Sequence, residues 1–279
     1  MVREAFCDLH IHTNYSDGEY PPREVVRRAA RAGLSVIAIT DHDNILGIDE
    51  AIEEGEAIGI SVLPGVELSA EDNGNDIHIL GYLFDHRNGQ LKETLEFFRA
   101  ERLKRAKTIL EKLRELGVFL DIEEVLEEAG HGAVGRPHIA HVLIKKGYVA
   151  TVREAFESYL GYESPAYVPK FKMTVKDAID LIKKAGGIPV IAHPGISAPP
   201  HKVLEFIGLG LLGIEVWHPE HDEDTIAFYS RVADEHGLVK TGGSDYHGEQ
   251  KGRANLGTIK LPYAIVRDLL ALKEKLGVS

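Results

Sequence analysis

The sequence is poor in several features whose absence narrows the possibilities. Its 279 residues include a single cysteine, Cys7, which excludes an internal disulfide and favours a reducing compartment. No stretch approaches the roughly 18 consecutive apolar residues of a membrane-spanning helix. The N-terminus also lacks the apolar core of a signal peptide. We therefore expect a cytoplasmic protein with no membrane partner.

Positively charged residues are also scarce: the sequence has 32 Lys and Arg but 44 Asp and Glu, which gives a net charge of −12. Proteins that bind long nucleic acid use Lys and Arg to displace counterions, so a nucleic-acid-binding protein of that kind is disfavoured. A small phosphorylated nucleotide or a short oligonucleotide stays open as a partner, since bound cations would reverse the local field. The sequence does not indicate the oligomeric state.

Apolar runs and amphipathic stretches alternate along both ends of the chain. Short strands such as Ala5–Ile11 and Ser35–Ile39 are each followed by a helical pattern, and the alternation resumes after residue 174. Between them, residues 90–116 predict one long amphipathic helix, and shorter helices follow up to Leu160. The pattern predicts an α/β fold of about seven βα units over residues 1–87 and 165–279, with a helical insertion domain over 88–164.

Histidines and acids collect at the ends of the predicted strands. His10 and His12 face the same side because side chains alternate along a strand with period two. Singly, these residues have ordinary explanations: Asp17 lies in a Ser-Asp-Gly turn, His78 could be a buried structural histidine, and Glu67 a simple strand-end acid. Together they predict a metal site, since the carboxyl ends of barrel strands meet at one face. The set is His10, His12, Asp17, His42, Glu67, His78, His193, Asp245 and His247.

Five ordered motifs carry a resemblance to a known family. They are Asp8-Leu9-His10-Ile11-His12-Thr13, Thr40-Asp41-His42, Pro64-Gly65-Val66-Glu67, Ala192-His193-Pro194 and Gly243-Ser244-Asp245-Tyr246-His247. The sequence resembles the PHP (polymerase and histidinol phosphatase) family, which implies a distorted seven-unit βα barrel with a trinuclear metal centre. The segment Gly135-Arg136-Pro137-His138 resembles the subgroup that hydrolyses the 3′-phosphate of 3′,5′-nucleoside bisphosphates. Related members trim RNA from its 5′ end.

The resemblance also implies how the ligands are shared among three divalent metal ions. The first ion would be held by His10, His12, Glu67 and Asp245. Glu67 would bridge to the second ion, with His78 and His193, and the third would be held by Asp17, His42 and His247. Asp8 and Asp41 would orient the imidazole rings. This donor set suits manganese, iron or zinc better than calcium; manganese is our leading expectation, with iron, zinc or magnesium as alternatives.

Three residues outside the ligand set are candidates for contacts with the substrate. Arg136 begins a predicted helix, and its guanidinium could donate two hydrogen bonds to a phosphate. It could equally be a surface arginine paired with a Glu. His218 follows a strand and could protonate the leaving oxygen, or could simply pack against Trp217. We assign Arg136, His138 and His218 to substrate binding. The predicted catalytic set is Glu67, Asp245, Arg136 and His218.

These features predict a phosphoric ester hydrolase, most simply one that removes the 3′-phosphate of a 3′,5′-nucleoside bisphosphate. The alternatives are a 5′→3′ exonuclease on short RNA, a histidinol phosphatase, and a metal-binding module without catalytic activity. Amidohydrolases also place His-x-His on a barrel. The Gly-Ser-Asp-x-His ending and the lack of an obvious metal-bridging lysine argue against that class.

Overall fold

The fold was analysed on a computed structural model, which describes residues 5–249 and 255–277. The chain divides into two compact units. The first comprises Met1–Lys92 and Lys172–Ser279, and the second Glu93–Phe171. The second unit overlaps the segment 88–164, whose assignment as an inserted domain stays a prediction.

Nine strands lie within the described part of the first unit. They are β1 (Phe6–Ile11), β2 (Val36–Ile39), β3 (Ser61–Asp72), β4 (Asn75–Tyr82), β5 (Met173–Thr174), β6 (Ile188–Ile191), β7 (Gly213–Trp217), β8 (Val239–Gly242) and β9 (Leu261–Pro262).

The α-helices of the described residues are, in chain order, α1 (Pro22–Arg31), α2 (Ile48–Ile58), α3 (Gly89–Glu115), α4 (Ile122–Ala129), α5 (Arg136–Lys145), α6 (Val152–Ala155), α7 (Val175–Lys184), α8 (Pro194–Ser197), α9 (Pro200–Gly208), α10 (Glu223–His236) and α11 (Ala264–Lys275). A π-helical turn, Phe156–Leu160, continues α6. No helix of the described residues is both long and apolar enough to cross a membrane.

The strands form one mixed sheet in the order β8-β7-β6-β4-β3-β2-β1-β9, with β5 beside β3. The neighbours β1–β2, β2–β3, β6–β7 and β7–β8 are parallel. An isolated parallel bridge joins Ile11, at the end of β1, to Tyr246, after β8. The sheet thus curls into a nearly closed barrel, and the predicted α/β barrel fold is confirmed.

The hairpin β3–β4 departs from the regular alternation of strand and helix that the sequence predicted. β4 is antiparallel to both of its neighbours, β3 and β6. The two-residue turn at Asn73 and Gly74 has φ of 50° and 88°, which is the left-handed backbone that an Asn-Gly hairpin requires. Because β4 runs backwards, its first half lies at the edge where the parallel strands end. His78 therefore belongs to this edge although it is not at a strand's carboxyl end.

Each unit has its own apolar core. In the first unit, side chains of β1, β2, β4 and β6 form a buried cluster that includes Leu9, Ala38, Tyr82 and Val190. The amphipathic helix α1 covers the sheet with its buried Val25, Val26 and Ala29. The second unit packs α3, α4 and α5 around a separate cluster that includes Leu113, Val125, Ile139 and Leu143.

Candidate metal centre

The loop after β8 packs against β1, and this contact brings Asp245 to His10 in β1 and to His12 just after it. A Cβ atom on Gly243 would lie 2.3 Å from the main-chain nitrogen of His10, so only glycine permits this approach. Next to it, Ser244 donates its N–H and its hydroxyl to the carboxylate of Asp8, at 2.9 and 2.6 Å. Asp245 itself has φ of 49°, an uncommon conformation for a non-glycine residue that recurs at functional sites.

Glu67 is the centre of the arrangement, and its side chain is 1% exposed. Its Oε2 lies 3.2 Å from a ring nitrogen of each of three histidines, His10, His12 and His42. Its Oε1 lies 2.9 Å from Nδ1 of His78 and 3.2 Å from Nε2 of His193. One carboxylate therefore faces two separate sets of imidazoles, one with each oxygen.

The possible ligands form three overlapping groups, within each of which one ligand atom per residue lies within 4.8 Å of the others. We name them the His10 group (His10, His12, Glu67 and Asp245), the His78 group (His42, Glu67 and His78) and the Asp17 group (His12, Asp17, His42 and His247). His193 lies beside the His78 group, with its Nε2 3.4 Å from Nδ1 of His78. All nine predicted ligands are thus brought together. His12 and His42 each belong to two groups, and the assignment of each ligand to a particular ion stays a prediction.

The spacing of these atoms fits divalent cations. Ligand atoms about 2.0–2.2 Å from one ion lie about 3.0–3.5 Å from each other in tetrahedral or octahedral geometry. The distances from Glu67 Oε2 to its three imidazoles, each 3.2 Å, fall in that range. In addition, the buried Nδ1 of His42 makes no hydrogen bond to any described residue, as expected for a nitrogen aimed at an ion. Imidazole with carboxylate oxygen and no thiolate is a donor set for manganese, iron or zinc.

Burial and charge act against each other on these groups. Burial lowers the pKa of His42 to about 3, so this ring is neutral and able to bind a metal. Burial also acts to lower the pKa of His12, but the carboxylates of Asp245 and Glu67 raise it to about 10. Burial tends to raise the pKa of Glu67, yet the surrounding histidines hold it well below its usual range. The carboxylates are therefore ionised and attract positive charge to the site.

His218 lines a small cavity at this centre. The cavity has a volume of about 160 Å³ and is lined by His42, Glu67, His78, His193, Ile196, His218, Glu220 and Asp245. The main-chain N–H of Glu220 donates to Nδ1 of His218 at 3.2 Å, which places the proton of the neutral ring on Nε2. That Nε2 lies 3.7 Å from Asp245 Oδ2 and makes no hydrogen bond to a described residue. His218 thus contributes to the lining of the cavity a ring whose Nε2 is a hydrogen-bond donor without a described acceptor.

The sequence predicted that Asp8 and Asp41 orient the imidazole rings, and neither carboxylate makes a hydrogen bond to a ring itself. Asp8 accepts from the main-chain N–H of His10, at 3.4 Å, and from Ser244. Asp41 accepts from Thr13 and from the hydroxyl of Ser16, and only the latter, 3.3 Å from Nδ1 of His12, reaches a ring. Both aspartates instead fix the main chain around β1, because their oxygens are taken up by backbone and hydroxyl donors.

A buried acid that does contact a ring, Glu215, was missed by the sequence analysis. Its Oε1 lies 2.9 Å from Nδ1 of His10, and its Oε2 accepts the main-chain N–H of His193 at 2.7 Å. Glu215 is fully buried within β7. An acid in the middle of the apolar run Gly-Ile-Glu-Val-Trp was the available signal, since a buried carboxylate is kept only with partners.

Arg136 and His138 lie in the second unit and belong to none of the three groups. The guanidinium of Arg136 donates to the main-chain oxygen of Leu160 at 2.9 Å, and its central carbon lies 5.2 Å from the ring centroid of Phe156. His138 accepts the main-chain N–H of Gly135 through Nδ1 at 3.0 Å, which caps the start of α5. Their role in substrate binding stays a prediction.

Known proteins resemble this chain over most of its length. It is 34% identical over 259 residues to the 3′,5′-nucleoside bisphosphate phosphatase of Chromobacterium violaceum, covering 91% of each chain. It is 36% identical over 245 residues to a 5′-3′ exoribonuclease of Haemophilus influenzae, covering 86% of this chain and 89% of the relative. A crystal structure from Bifidobacterium adolescentis, provisionally described as a metal-dependent phosphoesterase, superposes with a TM-score of 0.82 at 34% identity and covers 95% of each chain.

Both relatives bear the names of enzymes that hydrolyse phosphate esters, and the predicted enzyme class, a phosphoric ester hydrolase, is confirmed. The model of the PHP domain matches residues 8–162, more than half of the chain. With its ordered motifs, its barrel and its convergent histidines and acids, this chain belongs to the PHP family.

Proposed function

We propose that this protein is a metal-dependent phosphatase that removes the 3′-phosphate of a 3′,5′-nucleoside bisphosphate. The observation that carries the proposal is the geometry of Glu67, whose two oxygens face five imidazole nitrogens at 2.9–3.2 Å. A carboxylate in this position could hold two cations, which would supply the positive charge that phosphoryl transfer needs.

The proposed centre holds three divalent cations, preferably manganese, in the His10 group, in the His78 group together with His193, and in the Asp17 group. When bound, such ions lower the pKa of water and neutralise the charge that develops on the transferring phosphoryl group. Glu67 and Asp245 hold the ions beside the cavity, so both are essential to the reaction. His218 donates its Nε2 proton to a phosphoryl oxygen or to the leaving oxygen, because its ring lines the cavity and that nitrogen makes no hydrogen bond to a described residue.

The size of the cavity favours a phosphate that projects from its substrate. At about 160 Å³ it is smaller than the roughly 300–1,000 Å³ that encloses a drug-sized ligand, so it admits a phosphoryl group and not a nucleobase. We further propose that Arg136 and His138 bind the phosphate that is not cleaved. One of the five guanidinium N–H donors of Arg136 is engaged by Leu160, and a fork of this kind suits a phosphate.

The test is an assay of the purified, manganese-loaded protein on a short series of substrates. The series contains adenosine 3′,5′-bisphosphate, 3′-AMP, 5′-AMP, histidinol phosphate and a short 5′-phosphorylated RNA. We expect inorganic phosphate and 5′-AMP from the bisphosphate as the fastest reaction, identified by mass spectrometry. Asp245→Asn should abolish it, whereas Asp234→Asn, which alters a 69% exposed carboxylate on α10, should not.

The second candidate is a 5′→3′ exonuclease on short RNA, which the similarity to the Haemophilus influenzae relative favours. It would release mononucleotides from the RNA faster than phosphate from the bisphosphate. Preferential turnover of histidinol phosphate would replace both candidates. A loaded, folded protein that turns over none of the series would favour a metal-binding module without catalytic activity.

A further inference from the structure

Glu215 contacts two of the proposed metal ligands with its two carboxylate oxygens, although it belongs to none of the three groups. Oε1 lies 2.9 Å from Nδ1 of His10 and Oε2 lies 2.7 Å from the main-chain nitrogen of His193. The side chain is fully buried. β7 lies between β6, which precedes His193, and β8, which precedes Asp245, so Glu215 lies on a strand whose two neighbours both lead into proposed ligands.

The contact with His10 determines which ring nitrogen can bind a metal. A carboxylate only accepts hydrogen bonds, so Nδ1 of His10 carries its proton toward Glu215. Nε2 is then the nitrogen with a free lone pair, and it faces Glu67 at 3.2 Å and Asp245 at 3.4 Å. A metal-binding histidine generally has its second nitrogen held in this way.

The contact with His193 acts through the backbone. His193 has φ of 27° and ψ of 56°, a left-handed conformation that a residue with a Cβ adopts only when its surroundings impose it. The hydrogen bond from its N–H to Glu215 supports this conformation, which directs Nε2 to 3.2 Å from Glu67 Oε1. The same carboxylate therefore places one ligand on each side of Glu67.

We propose that Glu215 is a positioning residue that couples the His10 group to the cation site of the His78 group, which it reaches through His193, and that the Asp17 group is independent of it. The proposal rests on the metal centre of the proposed function. It predicts a selective effect: loss of Glu215 weakens two of the three cation sites and leaves the third unchanged. A general loss of stability would affect all three alike.

The variant Glu215→Gln tests this, because an amide can accept from only one of the two donors. If its oxygen meets His193, its NH₂ faces Nδ1 of His10 and favours the tautomer that protonates Nε2, where the metal should bind. We expect the affinity for manganese at two sites to fall by about 10–100-fold, the usual effect of removing such a partner. Titration with manganese alone, with bound metal measured by elemental analysis and chelator competition, gives the affinity and the number of sites.

The control is Glu54→Gln, which removes another buried carboxylate, one that pairs with Arg27 and lies outside the three groups. It should leave all cation sites unchanged. If Glu215→Gln does not fold, Glu215→Asp keeps the charge but is one methylene too short to reach both partners, and the same selective loss is expected. Nitrogen-15 NMR of the zinc-loaded wild type should show the proton of His10 on Nδ1.

Unchanged manganese affinity in a folded Glu215 variant, or an equal loss at all three sites, would overturn the proposal. So would a His10 ring protonated on Nε2 in the loaded wild type. None of these measurements uses a substrate. A failure of the proposed phosphatase activity is therefore distinguishable from a failure of this inference.

Discussion

Replacing Glu67 with glutamine should nearly abolish activity while the fold survives. The substitution keeps the shape of the side chain but removes the charge that faces imidazoles on both sides, at 2.9–3.2 Å. Removing one partner of a buried ionic arrangement costs about 3–5 kcal/mol. If that loss appears in the binding of the cations at the transition state, it corresponds to roughly two to four powers of ten in rate.

The assay is kcat and kcat/KM for phosphate release, with the metal content and Tm of the same preparation. The matched control is Glu71→Gln, on the same strand β3, where a partly exposed carboxylate pairs with Lys172. A surface ion pair of this kind contributes about 0–1 kcal/mol, so the control should retain nearly full activity and metal. A Glu67→Gln protein with the wild-type metal content and near-wild-type turnover would show that Glu67 does not bridge cations.

Three further predictions concern the metals and the substrate. Chelation should lower Tm in calorimetry by about 5–10 °C, since one site saturated at 100 times its Kd adds about 2.7 kcal/mol to the free energy of unfolding. Elemental analysis should find more than one manganese ion per loaded chain, and a single ion with full activity would refute the trinuclear proposal. Asp17→Asn should lower the number of bound ions by about one, because Asp17 belongs to a single group and its side chain is 45% exposed. Loss of every ion in this variant would contradict the prediction. Arg136→Ala should lower kcat/KM for the bisphosphate by about one to two powers of ten, which is the contribution of a charged hydrogen bond, and leave kcat/KM for an aryl phosphate unaffected. Arg136→Lys should restore part of the loss. Equal losses on both substrates would assign Arg136 to the fold.

Much of the candidate metal centre could be predicted because its proposed ligands follow local sequence patterns. His10 and His12 share a side through the period of two along a strand, and Asp245 and His247 stand in a compact motif after another strand. The alternation of strands and helices indicated a barrel, whose strand ends meet at one face. The antiparallel β4 was predictable in principle from Asn73-Gly74, but periodicity alone does not give the direction of a strand.

What the sequence determined by itself was therefore the type of fold, the family and the set of candidate ligand residues, since each depends on patterns within a few positions. Only the tertiary structure decided which groups meet. Glu215 lies 205 residues from His10 and 22 residues from His193 in the sequence. No sequence pattern around Glu215 predicts that it contacts these two residues. Asp8 and Asp41 stand beside the histidines in sequence, yet their oxygens go to backbone and hydroxyl donors. Hydrogen bonds form between atoms that packing brings within about 3 Å of each other. Closure of the barrel brings together residues that are far apart in the sequence, so it decides which atoms come that close.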